Sequence, residues 1–246
     1  MSQFIWDIPS NYRKCQKKQY DIHVCMPPKG TIVINVLEQA DTVKYFNGKT
    51  YFTLRDLAKL NDNAKQSVMN AVSCGKAYMV NDNTPFVLAG TCDELWCIDA
   101  NNLAKKYSFV TGQGTEPINQ QTLQKRMKNG YLDWTVVRTI PNNSQAWACF
   151  VKQSIKGQIQ TSWGAVLNIN GAGVSHGKGD FVIANSVGNQ PDLCSRYVVN
   201  GNTFATTYDN RGWTDCISAT RRKASLSIAE LPKLCVDTVC FNKTDY

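Results

Sequence analysis

Short runs of apolar, β-branched and aromatic residues, separated by polar segments, dominate the chain. Clear examples lie at 86–89, 131–140, 146–153, 164–169 and 181–184. Runs of this length and composition, bounded by turn-forming residues, are typical of β-strands. They do not alternate regularly with helical patterns. The sequence therefore favours an α+β fold with a mostly antiparallel sheet over parallel winding.

Helical periodicity occurs in a few connecting stretches. Thr53 can cap a helix that carries Leu54, Leu57 and Leu60 and that resumes after Asp62 as far as Val72. Such a cap followed by apolar residues at helical spacing predicts a helix start. By the same reasoning Asn119 caps a helix over 120–129 that stops at Gly130. A last amphipathic stretch, 225–230, ends before Pro232.

Two segments of the chain align with each other. In the first, 86–89 is followed by 96–107, and in the second, 181–184 is followed by 197–208. Phe, Val and Ala recur in the shorter blocks, and Asn, Ala and Tyr recur in the longer ones. We expect each copy to form a β-hairpin or meander, with Asp99-Ala100 or Asn200-Gly201 making the next tight turn.

A fainter third copy precedes these two. Residues 29–34 resemble 178–183, and 46–51 resemble 199–204, although β-rich sequences share such residues in any case. We therefore predict two or three short β-modules in one compact unit. The predicted segments are 1–74 with a helix, 75–150 with a helix, and 151–246 with the amphipathic C-terminal stretch.

The second copy carries a family resemblance. The segment 176–181, together with 197–201 and 204–208, resembles the PGDYG-type module of phage, bacterial, giant-virus and some protist proteins. That module begins with Gly-Asp-aromatic, continues as a hydrophobic strand and ends in Thr-Tyr, and 134–139 resembles a piece that accompanies it. The resemblance covers roughly 75–212, with Lys178 where the family has proline. It implies a β-module of a virus- or phage-related protein and no catalytic residue.

Composition places the chain among folded proteins. Its 246 residues are 43% hydrophobic, which is too apolar for a disordered chain. No apolar run approaches the ~20 residues of a membrane-spanning helix, and the N-terminus lacks the basic and apolar regions of a secretory signal. Most cysteines lie in apolar runs, where reduced thiols pack as small hydrophobes. We expect that the protein is not secreted. We expect it to be cytoplasmic or, if viral, located in a virion or inclusion body.

The net charge of +8 is compatible with an anionic partner such as nucleic acid. Two basic clusters are candidates for contact with nucleic acid or an acidic protein, and they comprise Arg13, Lys14, Lys17 and Lys18, and Arg221, Arg222 and Lys223. The alternative is a solvated basic face, because the other Lys and Arg residues are scattered.

Chemical signatures are sparse. The loop at 171–180 is rich in glycine, and its catalytic candidates are His176, Lys178 and Asp180. Its backbone amides could bind an anion, with Gly173, Ser175, Gly177 and Gly179 as the ligand-binding candidates, although the loop lacks the spacing of a P-loop. Cysteine pairs five residues apart, at 92 and 97 and at 235 and 240, do not suit zinc. No metal or cofactor is predicted.

These observations favour a non-enzymatic binding or assembly protein that acts through protein–protein contacts or self-association, as in a viral or phage-like structural or accessory role. One alternative is a small-ligand or nucleotide-acting enzyme that uses the 171–180 loop. A second alternative is a nucleic-acid binder that uses a basic face.

Overall fold

The computed structural model describes residues 4–34, 51–52, 58–73, 77–91, 95–127, 134–141, 145–171, 176–209 and 211–217. The strands are β1 Arg13–Cys15, β2 Asp21–Cys25, β3 Ile32–Ile34, β4 Tyr51–Phe52, β5 Ala77–Met79, β6 Phe86–Ala89, β7 Leu95–Ile98, β8 Tyr107–Thr111, β9 Gly114–Pro117, β10 Thr135–Thr139, β11 Ala146–Lys152, β12 Gly157–Gln160, β13 Val166–Ile169, β14 Gly179–Val187, β15 Gln190–Pro191 and β16 Tyr197–Val199. The helices are α1 Asp62–Ser73, α2 Ala100–Lys106, α3 Gln120–Arg126 and α4 Gly201–Thr207, with 3₁₀ turns at Ile5–Asp7, Pro9–Asn11 and Arg211–Cys216. The predicted α+β class with antiparallel sheets is confirmed.

The chain forms two compact units. Unit 1 comprises residues 1–19 and 141–223, and unit 2 comprises residues 20–140 and 224–246. This division does not coincide with the segments predicted from sequence, because β1 pairs with β11 in the second half of the chain. The chain thus leaves unit 1 after residue 19 and returns to it at residue 141.

Unit 1 is built on a sheet in which β11 pairs with β1 on one side and β14 on the other. Both β15 and β16 pair with β14, and β12 and β13 form a separate hairpin. Successive side chains of a strand point to opposite faces, so β14 buries Val182 on one face and Phe181 on the other. Val182 packs in a cluster with Trp6 and Tyr12, whereas Phe181 packs with Phe204, Tyr208 and Trp213. Apolar residues cover both faces of this sheet.

Unit 2 contains a six-stranded sheet in the order β7-β6-β2-β10-β8-β9. Its main core includes Ile22, Leu88, Leu103 and Phe109. A three-stranded sheet, β4-β3-β5, shares a smaller cluster with α1. In that cluster Val68 and Ala71 of α1 pack against Ile32 of β3 and Ala77 of β5.

Four strands of each main sheet have the same arrangement and the same register. In unit 2 a row of directly opposed residues runs through Trp96, Leu88, Val24 and Thr135. In unit 1 the matching row runs through Tyr197, Ile183, Ala148 and Arg13. A fifth position also corresponds, because Tyr107 lies opposite Thr139 and Tyr208 lies opposite Lys17. The sequence alignment of 96–107 with 197–208 also pairs Trp96 with Tyr197 and Tyr107 with Tyr208.

The predicted tight turns at Asp99-Ala100 and Asn200-Gly201 are wrong. Each polar residue is the N-cap of a seven-residue helix. The Asp99 side chain accepts a hydrogen bond from the Asn102 amide, and the Asn200 side chain accepts one from the Asn202 amide. An Asp or Asn that can cap amide groups in this way favours a helix start as readily as a turn.

The remaining sequence predictions concern the helices, the fainter third copy and membrane-spanning segments. Helix α1 and the Asn119-capped helix α3 are confirmed, and Asn119 makes a capping box with Thr122. In the fainter copy, the pairing of β3 with β4 has a different register from the first strand pair of the other copies, because Ile32 lies opposite Phe52. Residues 53–57, 128–130 and 225–230 lie outside the described residues. None of the helices that the structure describes is long and apolar enough to cross a membrane.

Candidate functional site

The loop that enters β14 packs against the start of α4. The Gly179 amide donates to the His176 carbonyl, which closes a tight turn, and Gly179 itself has φ 150°. A Cβ atom on Gly201 would lie 2.2 Å from the Gly179 carbonyl oxygen and 2.7 Å from that of His176. Glycine at 179 and 201 is therefore required by the close approach of two backbone segments.

A buried polar cluster lies at this junction. His176 Nδ1 is 2.6 Å from Asp180 Oδ1, and His176 Nε2 is 2.9 Å from the Gly171 carbonyl oxygen. The amide of Asn200 lies 3.1 Å from Nδ1. Because a carbonyl only accepts, Nε2 carries a proton, and a second proton lies between Nδ1 and Asp180. The side chains of His176 and Asp180 are 6% and 1% exposed, so neither ring nitrogen is available to a substrate in this conformation.

Asn170 completes the cluster. Its backbone amide donates to the second carboxylate oxygen of Asp180 at 2.7 Å. Its side-chain amide donates to the carbonyls of Val151, Lys152 and Ile155. The residue adopts φ 51°, which asparagine tolerates better than most residues. The cluster thus joins the end of β11, the end of β13 and the start of β14, and we interpret it as architectural.

The remaining loop candidates separate from this cluster. Lys178 is exposed, and its Nζ donates to the Asp215 carbonyl at 2.9 Å. Gly177 is half-buried with φ 64°. Gly173 and Ser175 lie outside the described residues. The structure therefore brings together His176 and Asp180, and it places Lys178 on a different surface.

That surface is basic. We define the basic patch as Arg13, Lys17, Lys18 and Lys178, all of which are exposed. Arg13 lies over the ring of Trp213 at 5.3 Å and Lys17 lies over that of Tyr208 at 6.0 Å, and Lys18 donates to the Ala205 carbonyl. Burial raises the pKa of the Cys216 thiol, and the charges of Arg13 and Lys178 act in the opposite direction.

The other predicted basic residues do not belong to the patch. Lys14 alternates to the opposite face of β1 and lies over Trp147 at 5.5 Å. Residues 221–223 lie outside the described residues. Asp209 and Asp215 are the acidic residues beside the patch, and Asp209 is paired with Arg211.

The positive charge of the chain is concentrated in unit 1. Its residues include twelve Lys and Arg and five Asp and Glu, a net charge of +7, whereas unit 2 has fifteen and fourteen, a net charge of +1. The register places Thr135, Thr139 and Ile140 of unit 2 at the positions of Arg13, Lys17 and Lys18. The same arrangement of strands therefore forms without these cations.

Sequence reasoning grouped His176 with Asp180 and missed the two asparagines of the cluster. Asn170 contacts Asp180 and Asn200 contacts His176, and no local pattern connects them. The Asn170-Gly171 pair does signal a backbone with positive φ. Within the described part of the chain, no group of three or more His, Cys, Asp or Glu side chains is arranged to hold a metal ion.

No protein-family model matches the chain, and no curated protein or solved structure is significantly similar to it.

Proposed function

We propose that this chain is a non-enzymatic binding protein and that the basic patch of unit 1 binds nucleic acid. The observation that carries the proposal is that two sheets with the same strand register differ in charge at corresponding positions. Unit 2 holds its sheet together with threonine and isoleucine where unit 1 has Arg13, Lys17 and Lys18. Because folding does not need cations at these positions, a ligand with negative charge is the simplest reason for them.

The patch suits phosphate groups better than bases. Its aromatic residues are buried, with Trp213 and Tyr208 only 4% and 2% exposed, and Arg13 and Lys17 lie over their rings. Bases therefore have no open ring on which to stack. Arg13 and Lys17 are four residues apart on one strand face, about 13 Å along the strand. Cations in such a row can contact phosphates of the nucleic-acid backbone, which gives binding without sequence preference.

Salt dependence provides the test. We compare the wild-type chain with the triple variant Arg13→Gln/Lys17→Gln/Lys178→Gln on a short DNA duplex at several salt concentrations. The matched control is Lys105→Gln/Lys106→Gln/Lys125→Gln, which removes three exposed charges from unit 2. Each lost phosphate contact should reduce the slope of log affinity against log salt by about 0.9. The patch variant should therefore lose up to about 2.7 in slope, and the control should keep it.

Three results would overturn the proposal. The wild-type chain would fail to bind DNA or RNA at low salt, or the control would weaken binding as much as the patch variant. The third is patch-dependent binding to an acidic peptide with no binding to nucleic acid, which would assign the patch to an acidic protein partner.

Assembly through protein–protein contacts is a second candidate function. The specific observation in its favour is that β1 of unit 1 is separated from its partner β11 by residues 16–145 of the chain. A sheet completed by a strand from a distant part of the chain can also be completed by a strand from another molecule. The virus- or phage-related structural role that the sequence resemblance implies belongs to this second proposal.

A further inference from the structure

The equivalent strands of the two sheets occur in the same order along the chain. The first series is β1, β2, β6, β7, α2 and β8, and the second series is β10, β11, β14, β16, α4 and Tyr208. Each series is one half of the chain. Yet β1, the first member of the first series, lies in the sheet of unit 1, and β10, the first member of the second series, lies in the sheet of unit 2.

Spacing and residue identity support a common origin of the halves. Thr135 follows its counterpart Arg13 by 122 residues, and Ala148 follows its counterpart Val24 by 124 residues. The connection from first to second strand therefore differs by only two residues between the halves. At corresponding positions the halves share seven residues, namely Cys25 and Cys149, Phe86 and Phe181, Val87 and Val182, Ala89 and Ala184, Asn101 and Asn202, Ala104 and Ala205, and Tyr107 and Tyr208.

We infer that the chain consists of two copies of one module that have exchanged their first strands, and that the same exchange joins two copies of the chain. In the joined form, residues 1–19 of one molecule occupy, in another molecule, the position beside β11 that they fill in their own molecule in the closed form. We call this position the seat. This inference develops the assembly function and is independent of nucleic-acid binding. The partner is a second copy of this chain.

The seat is well defined and specific for this segment. β1 pairs with β11 through three opposed residue pairs, and Lys17 bridges to Tyr208. Ahead of the strand, Trp6 and Tyr12 are buried in the core of unit 1. Arg196 donates to the Trp6 carbonyl at 2.9 Å and pairs with Asp7 at 2.6 Å. An exchanged segment regains all of these contacts in the second molecule.

Exchange therefore changes little except the path of residues 18–20 between the units. When native contacts are identical, the balance between closed and exchanged forms depends on protein concentration and on this connection. A short connection gives the strand an effective concentration of the order of millimolar at its own seat. The closed chain prevails in dilute solution, and exchange becomes substantial where the protein is concentrated.

A disulfide reports which molecule supplies the strand. Cys15 lies directly opposite Ala146, so Ala146→Cys creates a pair that can form a bridge across the strands. One partner is the wild-type chain, which has Cys15 and Ala146, and the other is Cys15→Ser/Ala146→Cys. A bridge between positions 15 and 146 in their mixture can form only between molecules. The two full-length chains are unfolded together, refolded over a range of concentrations up to about 1 mM, oxidised and mapped by mass spectrometry.

We expect an interchain bridge between positions 15 and 146 whose yield rises with concentration. The wild-type chain refolded alone should give a dimer with the same dependence by sedimentation. A mixture in which both partners carry Cys15→Ser must lack the bridge. The Ala146→Cys chain, which retains Cys15, should form the bridge within one molecule in dilute solution. The inference fails if that internal bridge does not form, or if it forms and no interchain bridge appears at any concentration. No variant alters the charge of the basic patch, so this failure leaves the nucleic-acid proposal untouched.

Discussion

Replacing His176 with alanine tests whether the loop of unit 1 is architectural or catalytic. The change removes the His176 partner of Asp180, whose buried carboxylate also accepts a hydrogen bond from the Asn170 amide. Breaking a buried charged pair in this way typically costs about 3–5 kcal/mol. We expect His176→Ala to lower the free energy of unfolding of unit 1 by about 4 kcal/mol, close to a thousandfold in the folding equilibrium.

Hydrogen exchange followed by mass spectrometry measures this effect in each unit separately. Amides of β14 in unit 1 should lose protection by that amount, whereas amides of β6 in unit 2 report any effect that spreads. Lys178→Ala in the same loop is the matched control, because Lys178 is exposed. It should change stability by less than about 0.5 kcal/mol.

A double-mutant cycle with Asp180→Ala refines the result. If the two side chains interact directly, the double variant should be more stable than the sum of the single effects predicts, by about 2 kcal/mol. A His176→Ala chain within about 1 kcal/mol of the wild type would refute the architectural role. That outcome would favour the enzyme alternative, because removing a catalytic residue often leaves stability unchanged or raises it.

Three further predictions concern single side chains. Burial lowers the pKa of His23, with Asp21 acting in the opposite direction, so the folded state binds fewer protons and the free energy of unfolding should fall as pH drops below about 6.5. Urea titrations between pH 7 and 5 should show a shallower fall for His23→Gln, and identical slopes would contradict this. Burial raises the pKa of the Cys15 thiol to about 12, so iodoacetamide at pH 8 should alkylate the exposed Cys194 long before Cys15, whose thiolate fraction is about 1 in 10⁴. Gly201→Ala should cost about 2 kcal/mol or more, because the added Cβ meets the Gly179 carbonyl. The converse Ala100→Gly at the matching position of unit 2 should cost at most about 1 kcal/mol, and equal melting shifts in the two variants would argue against the close approach.

Local elements of the fold could be predicted from the sequence. The apolar runs predicted β6, β11 and β14, and Asn119 predicted the start of α3. The capping role of Asp99 and Asn200 could not be separated from a turn, because the same side chains favour both. The helix is favoured over the turn because Leu103 and Phe204 become buried, and this burial depends on tertiary packing.

Long-range pairing carried no local signal. The position of β1 beside β11 depends on contacts between segments more than a hundred residues apart. For the same reason the two asparagines of the His176–Asp180 cluster were missed, since Asn170 contacts Asp180 and Asn200 contacts His176 from different segments of the chain. The basic residues at 13–18 were identified, but their sorting onto two faces of a strand requires the register. The PGDYG-type resemblance, and the viral or phage origin that it implies, stay predictions.

The pairing of β1 with β11 has a consequence for synthesis of the chain. Cys15 and its partner Ala146 are 131 residues apart, so ribosomes that add about 5–20 residues per second reach β11 only roughly 7–26 s after β1 has been made. During that interval Trp6 and Tyr12, which the finished protein buries, have no seat on their own molecule. Neighbouring chains on one messenger RNA are then close together. The first opportunity for exchange between copies therefore arises on the polysome, before any molecule has finished folding.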